Sequence, residues 1–544
     1  MKHTHFSRLS RLLALTLAIV MALSLIGCGK QADSTNKDDA QQTTATAVST
    51  TASTTTTTAA ESTTTDTTAG TTETTADTTA PTTTTTKVTT TTTTVTTAPT
   101  KPSVAAKLNG VSLSEYVIVY DDEALDYTER AAAYIHDEIL TRTGADLEVV
   151  QDSRSDPAKH EIVVGETDRA ISKALNAETE GLEFSMVAKD GHVAMEGDYF
   201  IIAAAAYYFV TTYITGKTAS TTVSTTTLVR EPIVEKANNF FLLIGDGMGE
   251  NQTMLPKGYD KEKMYTADGT TNFTDGEDFF YGHLFPYAGY ARTRSYDSDV
   301  TDSAAGGTAL ATGYKTKNGY IGKDPNKNDL KSITELAGEL GMATAVMTTE
   351  GIAGATPGGF SAHADFRDMY DDIKADQAVM TEKYGTIFHA HYDNYNRMGM
   401  WSIDTDLDKT FKSLSQNDKG IFMMYEEAYI DKHCHNQDEE KATWAVFRFN
   451  QAIARFMEFA FYHPDTMVII TADHETGSLT KMGNKYYCAT GDHSGRDVPV
   501  YAYGVGAEVF HEQTIENVQI PKTIAKMMGS SLATDTDSQY PPLI

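Results

Sequence analysis

The chain has 544 residues, of which 40% are hydrophobic, and this length allows two or three globular domains. Its formal net charge is −30, which argues against nucleic acid and anionic membrane surfaces as partners. An anionic substrate would therefore need a locally positive site. The three cysteines, Cys28, Cys434 and Cys488, are too few for a disulfide framework and allow at most one bridge, between Cys434 and Cys488.

Residues 1–28 have the pattern of a bacterial export signal. Lys2, Arg8 and Arg11 precede the apolar run LLALTLAIVMALSLIG, which is too short for a comfortable membrane span. The run ends in LIGC, which resembles a lipobox with Cys28 as the lipidated first residue of the mature chain. An ordinary signal peptide with an incidental cysteine is the alternative. The position of Cys28 at the cleavage point favours a lipoprotein, extracytoplasmic and anchored to the membrane of a bacterium.

Residues 29–104 form a Thr-rich linker, and Thr alone supplies more than half of positions 43–100. Such a segment has almost no apolar surface to bury and cannot offset the entropy lost on ordering. We predict a disordered stalk, open to O-glycosylation, that holds the folded part away from the cell surface.

Residues 105–232 are predicted to be a small α+β accessory domain. YVIVY and EIVVG indicate strands, and FSMVAKDGHVAMEG indicates a hairpin around Asp190-Gly191. ALDYTERAAAYIHDEILTRTG indicates a helix that ends at Gly144, and YFIIAAAAYYFVTTYI indicates a buried helix. The pattern loosely resembles accessory domains that precede catalytic domains in some bacterial carbohydrate-active enzymes. Because this part of the sequence has no acid, base or metal-ligand cluster, we expect a binding or spacing role.

Residues 233–544 alternate apolar runs with helical segments, which predicts an α/β fold: a mostly parallel central sheet flanked by helices on both faces. The helical segment KSITELAGELG stops at a glycine cap, and KATWAVFRFNQAIARFMEFAFYHP stops at Pro464. The four key apolar runs are NNFFLLIGDGMG, GMATAVMTTEGIAGATPGG, KGIFMMYEEAYIDKHCH and TMVIITADHETG.

Each apolar run leads to side chains that can bind a metal or a substrate. Because ligands of open α/β sheets bind at the carboxyl ends of the strands, we expect these side chains to converge. Crowded carboxylates repel one another and divalent cations relieve that repulsion; mixed Asp and His ligands suit zinc, and all-oxygen ligands suit magnesium. The candidates are Asp246, Thr356, Glu426, Asp431, His433, His435, Asp473, His474, Glu475 and His493.

Each motif taken singly also has an ordinary structural explanation. GDG is most often a turn, and ADH after a strand is often an aspartate cap followed by a surface histidine. The spacing of Asp431 and His435 also fits one face of an exposed helix. The functional interpretation therefore depends on the motifs acting together.

The segment VTDSAAGGTALATG, residues 300–313, places Asp302-Ser303 before a run of Ala, Gly and Thr. Small side chains allow close approach to the backbone, and a helix N-terminus offers free N–H groups to an anion. The alternative is a helix packed tightly on a sheet, with Ser303 as a simple N-cap. Facing a cationic centre, the Ser303 hydroxyl would become a nucleophile at mild pH.

Six motifs, in this order, resemble those of the alkaline phosphatase family: LLIGDGMG, VTDSAAGGTALATG, ATPGGFSAHADFR, EEAYIDKHCH, TADHETG and GDHSG. The resemblance covers residues 236–530. It implies an alkaline phosphatase-like fold and hydrolysis of phosphate monoesters at two zinc ions and one magnesium ion. It also implies that Ser303 forms a phosphoserine, that Arg367 holds two phosphate oxygens bidentately, and that Asp302 orients Arg367.

The same resemblance assigns metal ligands. It implies one zinc site of Asp431, His435 and His493, a second zinc site of Asp246, Asp473 and His474, and a magnesium site of Asp246, Thr356 and Glu426.

One position departs from the family pattern, because Gly354 stands where the family usually has Asp or His. Lys432 resembles the lysine that pairs with that Asp in many bacterial members. We therefore expect Lys432 to lack its partner and to be free to move toward bound phosphate. The alternative is that a water, Glu350 or His433 fills the gap.

Two other functions fit these residues less well. A sulfatase of the same superfamily needs a C/S-x-P-x-R context, which neither Ser303 nor the cysteines have. Arg367 argues against a phosphodiesterase, because a diester has fewer free oxygens to hold. A non-catalytic cell-surface binding protein would not need the intact nucleophile, arginine and metal-ligand positions. Family members are often dimeric, so a homodimer is a further expectation, although the sequence indicates no interface.

Overall fold

A computed structural model of the chain describes residues 104–156, 159–175, 181–229, 236–258, 280–390, 398–483, 485–532 and 539–544. The predicted signal peptide, Cys28 and residues 29–103 of the Thr-rich linker lie outside the described residues. Among the helices in the described ranges, none combines the length and the apolar character needed to cross a membrane. The described residues belong to one compact unit, Lys101–Ile544.

The first part of this unit is built on a six-stranded sheet of order β4-β3-β5-β7-β6-β9, beside a small sheet of order β2-β1-β8. Its helices are α1 (Asp126–Thr143) and α2 (Ile202–Tyr213). Its strands are β1 (Lys107–Leu108), β2 (Val111–Ser112), β3 (Tyr116–Tyr120), β4 (Glu148–Gln151), β5 (His160–Val164), β6 (Glu183–Lys189), β7 (His192–Glu196), β8 (Ser220–Thr221) and β9 (Thr226–Val229).

The elements predicted in this part are confirmed. Gly144 ends α1 with φ 80°, a left-handed conformation that glycine adopts without strain. Asp190 and Gly191, with φ 52° and 83°, form the two-residue turn between β6 and β7. Two successive residues with positive φ are typical of the turns that match the twist of a hairpin.

The second part is built on an eight-stranded sheet of order β13-β12-β14-β10-β15-β20-β11-β21. Its sheet strands are β10 (Asn239–Gly245), β11 (Tyr287–Arg292), β12 (Ala343–Thr348), β13 (Ile387–Ala390), β14 (Ile421–Glu427), β15 (Thr466–Thr471), β20 (Val498–Gly504) and β21 (Thr514–Glu516). Four short strands form two separate pairs: β16 (Glu475–Thr476) with β19 (His493–Ser494), and β17 (Thr480–Met482) with β18 (Lys485–Tyr487).

Ten helices of the described residues flank or connect these strands. They are α3 (Glu250–Thr253), α4 (Leu255–Gly258), α5 (Ser303–Thr312), α6 (Ile333–Glu339), α7 (Ala355–Gly359), α8 (Tyr370–Tyr384), α9 (Met398–Leu414), α10 (Tyr429–His435), α11 (Glu439–Tyr462) and α12 (Gln519–Met527).

The prediction of a mostly parallel central sheet is confirmed. Within this sheet, β20 is the described strand that runs against its neighbours β15 and β11. Every residue of β10, β14 and β15 is buried, which is why these strands are continuous apolar runs in the sequence. The helix α11 ends at Tyr462, two residues before Pro464, as expected.

The accessory sheet packs on the central one through α11. The rings of Tyr134 in α1 and Tyr462 in α11 lie 4.2 Å apart, and the rings of Phe200 and Phe461 lie 6.0 Å apart. Arg130 Nε donates to Glu458 Oε1 at 2.9 Å. The domain boundary at residue 232 and the binding or spacing role of residues 105–232 stay predictions.

Candidate active site

The carboxyl edge of the central sheet collects the polar side chains. Asp246 follows β10, Glu426 is the penultimate residue of β14, and Asp473 and His474 follow β15. These strands are in direct register, since Ile244 pairs with both Glu426 and Thr471. Because β20 runs in the opposite direction, its amino end, which His493 precedes, lies at this same edge.

The small-residue helix α5 lies against the loops of this edge. A Cβ atom on Gly306 would lie 2.9 Å from the carbonyl oxygen of Asp473, and one on Gly307 would lie 2.9 Å from Thr356 Cα. Larger side chains would push α5 away from both loops. The Ala/Gly run therefore allows close packing beside Asp473 and Thr356.

Asp302, rather than Ser303, caps α5. Its Oδ1 accepts from the Ala305 N–H at 2.9 Å, and Ser303 is the first residue of the helix. The alternative of Ser303 as a simple N-cap is therefore wrong. With the cap supplied by its neighbour, the Ser303 hydroxyl is left available for other contacts.

Ser303 and His474 face each other in the buried part of the site. Ser303 Oγ lies 3.2 Å from His474 Nε2, and His474 Nδ1 lies 3.2 Å from Thr476 Oγ1. Burial, together with the nearby His493, holds the pKa of His474 well below its ordinary value. His474 is therefore a neutral imidazole, the form that ligates metals.

Two overlapping groups of side chains have ligand atoms close enough to hold a cation, each within 4.8 Å of one another. The groups are Asp431, His435 and His493, and Asp246, Asp431 and His474. Asp431 belongs to both groups, whereas the family resemblance assigned it to one. Thr476 donates to Asp431 Oδ1 at 2.5 Å and fixes the carboxylate between them.

Backbone carbonyl groups orient His435, which is exposed, and His493, which is partly buried. His435 Nδ1 lies 2.6 Å from the Gly491 oxygen, and His493 Nδ1 lies 2.9 Å from the Thr301 oxygen. This pattern assigns a proton to each Nδ1 and aims both Nε2 atoms, 3.0 Å apart, toward Asp431. In the absence of a cation, the hydrogen bond with Asp431 raises the pKa of His435 to about 9. A metal would compete with that proton for Nε2.

Asp473 and Asp246 are buried carboxylates beside His474. Asp473 Oδ1 accepts from the backbone N–H groups of Gly247 and His474, while Oδ2 lies 3.2 Å from His474 Nε2. Burial, followed by the charge of Asp431, raises the pKa of Asp473 to about 7. Burial, followed by the charge of Asp473, raises the pKa of Asp246 well above its ordinary value.

Glu426 is a further buried carboxylate of the site. It accepts a hydrogen bond from Thr348, whose strand β12 lies beside β14. Burial, followed by the charge of Glu350, raises the pKa of Glu426 to about 8. In each of the three carboxylates, burial therefore favours the protonated form over the charged form.

The residues fit the implied cations. Four buried side-chain oxygens of the site have no hydrogen-bond partner among the residues that the structure describes, and an unpaired buried polar atom is costly. The oxygens of Asp246, Thr356 and Glu426 suit a hard cation, which prefers oxygen ligands. The ligand sets that include histidine suit zinc. The four atoms are Asp246 Oδ1, Thr356 Oγ1, Glu426 Oε1 and Asp473 Oδ2.

Arg367 is held by the residue before Ser303. Its Nη1 donates to Asp302 Oδ2 at 3.1 Å, and the same oxygen accepts from the Gly319 N–H at 3.0 Å. With Oδ1 capping α5, both oxygens of Asp302 are fixed. Asp302 therefore sets the direction of the guanidinium relative to the start of the helix.

The expectation that Lys432 lacks a partner is wrong. Lys432 Nζ donates to Glu350 Oε2 at 2.5 Å. A Cβ atom on Gly354 would lie 2.0 Å from Glu350 Oε1, so the Glu350 carboxylate fills the space of the missing side chain. His433, the other candidate side chain, lies against Tyr429, with ring centroids 5.6 Å apart.

The sequence analysis missed one residue of the site, Thr476, whereas Glu350 was among its alternatives for the space beside Gly354 and is the one found there. Thr476 stands three residues after Asp473 in TADHETG, so the motif contained the signal. Glu475, in contrast, turns away from the ligands and accepts from Gln252 Nε2 and the Leu479 N–H. Cys434 and Cys488 are both buried free thiols.

The sequence profile of the family described as "Alkaline phosphatase" matches residues 237–400 and 395–491. Residues 237–491 of the chain are thus similar to the alkaline phosphatase family. Alkaline phosphatase 4 of Bacillus subtilis (strain 168) is 32% identical over 295 residues, which are 44% of this chain and 62% of that relative. Alkaline phosphatase 3 of the same strain is 23% identical over 422 residues, which are 54% of this chain and 89% of that relative.

Among solved structures, the alkaline phosphatase from the Antarctic bacterium TAB5 matches 54% of this chain and 99% of its own chain. Its sequence identity is 27% and the TM-score is 0.45. This chain spans less than two thirds of the B. subtilis alkaline phosphatase 4 that it matches.

Proposed function

We propose that this protein is a phosphatase that hydrolyses phosphate monoesters and releases inorganic phosphate through a phosphoserine intermediate on Ser303. The observation that carries the proposal is the position of Ser303 Oγ, 3.2 Å from His474 Nε2 and beside two groups of potential metal ligands. The fixed pair of Arg367 and Asp302, the residue before the nucleophile, supports it further.

The proposed cations are two zinc ions and one magnesium ion. When bound, they supply positive charge for the phosphate and lower the pKa of a hydroxyl group. The donor chemistry supports zinc at the sites with histidine and magnesium at the oxygen site. The proposed ligands are Asp431, His435 and His493 for one zinc, Asp246, Asp473 and His474 for the other, and Asp246, Thr356 and Glu426 for magnesium.

The reaction has two displacement steps at phosphorus. Ser303 Oγ forms a bond to phosphorus as the ester P–O bond breaks, and the hydroxyl proton leaves with the alcohol. Water then attacks phosphorus, the bond to Ser303 Oγ breaks, and the serine regains a proton as phosphate is released. Arg367 holds two non-bridging oxygens through both steps, in the direction that Asp302 sets.

Arg367→Ala is expected to reduce hydrolysis of p-nitrophenyl phosphate more than hydrolysis of bis-p-nitrophenyl phosphate. A diester offers fewer free oxygens to the guanidinium, so it has less to lose. One charge-assisted bidentate contact is worth about 1.5–3 kcal/mol, or roughly 10- to 150-fold in kcat/KM. The measurement is kcat/KM for both substrates, together with inhibition by phosphate, which should weaken.

Arg294→Ala is the matched control, since this half-exposed arginine pairs with Glu516 and not with Asp302. Equal losses on the two substrates would contradict the role of Arg367 and favour a phosphodiesterase. A metal-loaded protein with no activity on either substrate would favour a non-catalytic binding protein.

We further propose that the protein is extracytoplasmic and held at the membrane by lipid on Cys28, as the LIGC sequence indicates. Cys28→Ala is expected to move the protein from the membrane fraction to the soluble fraction after cell lysis and centrifugation. Cys488→Ala, at a buried thiol, is the control and should stay with the membrane. A Cys28→Ala variant that still sediments with membranes would contradict the lipobox.

A further inference from the structure

The loop between β12 and α7 carries Glu350, which occupies the space beside Gly354. A Cβ atom on Gly354 would lie 2.0 Å from Glu350 Oε1 and 3.0 Å from the Gly351 carbonyl oxygen. Gly354 has φ −59° and ψ 170°, a conformation open to any residue. The dihedral angles therefore do not require glycine here. The nearest atom to an added side chain is the carboxylate oxygen of Glu350, which occupies the space that glycine leaves free.

Glu350 is also tied to Glu426, a proposed magnesium ligand. The Glu350 N–H donates to Thr348 Oγ1 at 3.1 Å, and Thr348 Oγ1 in turn donates to Glu426 Oε2. The other oxygen of Glu426, Oε1, has no partner among the described residues. The Thr348 hydroxyl thus links the loop that begins at Glu350 to Glu426, one of the three proposed magnesium ligands.

Glu350 also forms an ion pair with Lys432, which lies in α10. Lys432 lies next to Asp431 in α10, and its Nζ is 2.5 Å from Glu350 Oε2. Only 19% of the Glu350 side chain is exposed to solvent, so this ion pair is protected from full screening. The pair keeps the lysine charge at the glutamate.

We propose that Glu350 is a positioning residue of the oxygen-only cation site, where it takes the place of the side chain that Gly354 lacks and holds Lys432 back from bound phosphate. The ligand is a hard divalent cation, and Glu350 adds an acceptor and a negative charge on the loop that Thr348 connects to Glu426. This inference rests on the proposed function for the identity of the site.

Glu350→Ala is expected to weaken magnesium binding to the zinc-loaded protein about 10- to 100-fold, the usual loss when a partner behind the direct ligands is removed. It should also strengthen binding of inorganic phosphate, because Lys432 is released. Both affinities are measured by isothermal titration calorimetry, which does not depend on turnover. Zinc content should not change.

Gly354→Ala should reproduce the Glu350→Ala result, because the added methyl group displaces the Glu350 carboxylate. The double variant Glu350→Ala/Gly354→Asp should recover magnesium affinity, since it returns a carboxylate to the same space from the other residue. Glu339→Ala, at a glutamate that pairs with Lys331, is the control and should change neither affinity.

Magnesium affinity within twofold of the parent in both single variants would overturn the inference, as would a zinc-loaded parent that binds no magnesium. If the double variant binds magnesium as weakly as Glu350→Ala does, a carboxylate at position 354 does not replace that of Glu350, and this part of the inference is wrong. The test is separate from that of the proposed function. A parent that lacks phosphatase activity but shows these magnesium shifts would remove the proposed reaction and keep the role of Glu350.

Discussion

Ser303→Ala should lower turnover of a phosphate monoester on the order of 10³-fold or more, the scale of loss seen when a covalent nucleophile is removed. The substitution takes away the oxygen that accepts the phosphoryl group and leaves the rest of the site in place. The start of α5 should keep its structure because its cap comes from Asp302, and alanine suits a helix interior. Turnover, zinc content and thermal unfolding of the variant and the parent are the measurements.

Trapping the intermediate tests the same residue without reference to rate. Acid quench of the parent with labelled phosphate should leave label on the peptide that contains Ser303, and the variant should carry none. Ser298→Ala is the matched control, because Ser298 lies five residues earlier and its hydroxyl accepts from the Val300 N–H. Label on another residue of the parent, or undiminished turnover in Ser303→Ala, would contradict the assignment.

The sequence predicted those parts of the structure in which a local residue pattern is compatible with only one type of element. β10, β14 and β15 are buried on both faces, so each appears as an uninterrupted apolar run. The side chains after such strands must meet at one edge of a parallel sheet. The fold and the convergence of the ligands could therefore be predicted together, although the reversed direction of β20 could not.

The sequence offered Glu350, His433 or a water for the space beside Gly354, but it could not choose among them, because the choice depends on the path of the loop. Gly354 carries no side chain, and the path of residues 349–354 places a carboxylate from four residues earlier in the space left free. No periodicity or motif encodes that path. The consequence was the wrong expectation for Lys432, which has a partner that comes from a different position of the loop.

Removal of the cations should lower the thermal stability of the protein, and the loss should grow as pH rises from about 6.5 to about 8.5. Burial raises the pKa of Glu426 to about 8 and of Asp473 to about 7, while the hydrogen bond with Asp431 raises that of His435 to about 9. Each of these groups holds its proton more tightly in the folded chain than in the unfolded one. Stability is therefore lost as pH rises through the folded pKa values.

The lower limit of that pH range follows from His474, whose pKa is held well below its ordinary value by burial. Below about pH 6.5 the unfolded chain binds a proton at this histidine and the folded chain does not, so the histidine lowers the stability there. Above that pH it has no effect on how stability changes with pH, and the other groups determine that change. Bound cations replace the protons and supply the charge that the carboxylates need. The metal-loaded protein should accordingly show little change in melting temperature over the same range.

The measurement is the melting temperature at pH 6.5 and 8.5, with zinc and magnesium and after treatment with EDTA. In the chelated protein, Asp246→Asn should weaken the dependence on pH because it removes a buried carboxylate whose pKa is raised well above its ordinary value in the folded chain. Asp329→Asn, at an exposed carboxylate paired with Lys323, is the control and should leave that dependence unchanged. If chelation lowers the melting temperature equally at both pH values, the buried carboxylates are not the groups that the cations neutralise, and the ligand assignment loses its electrostatic basis.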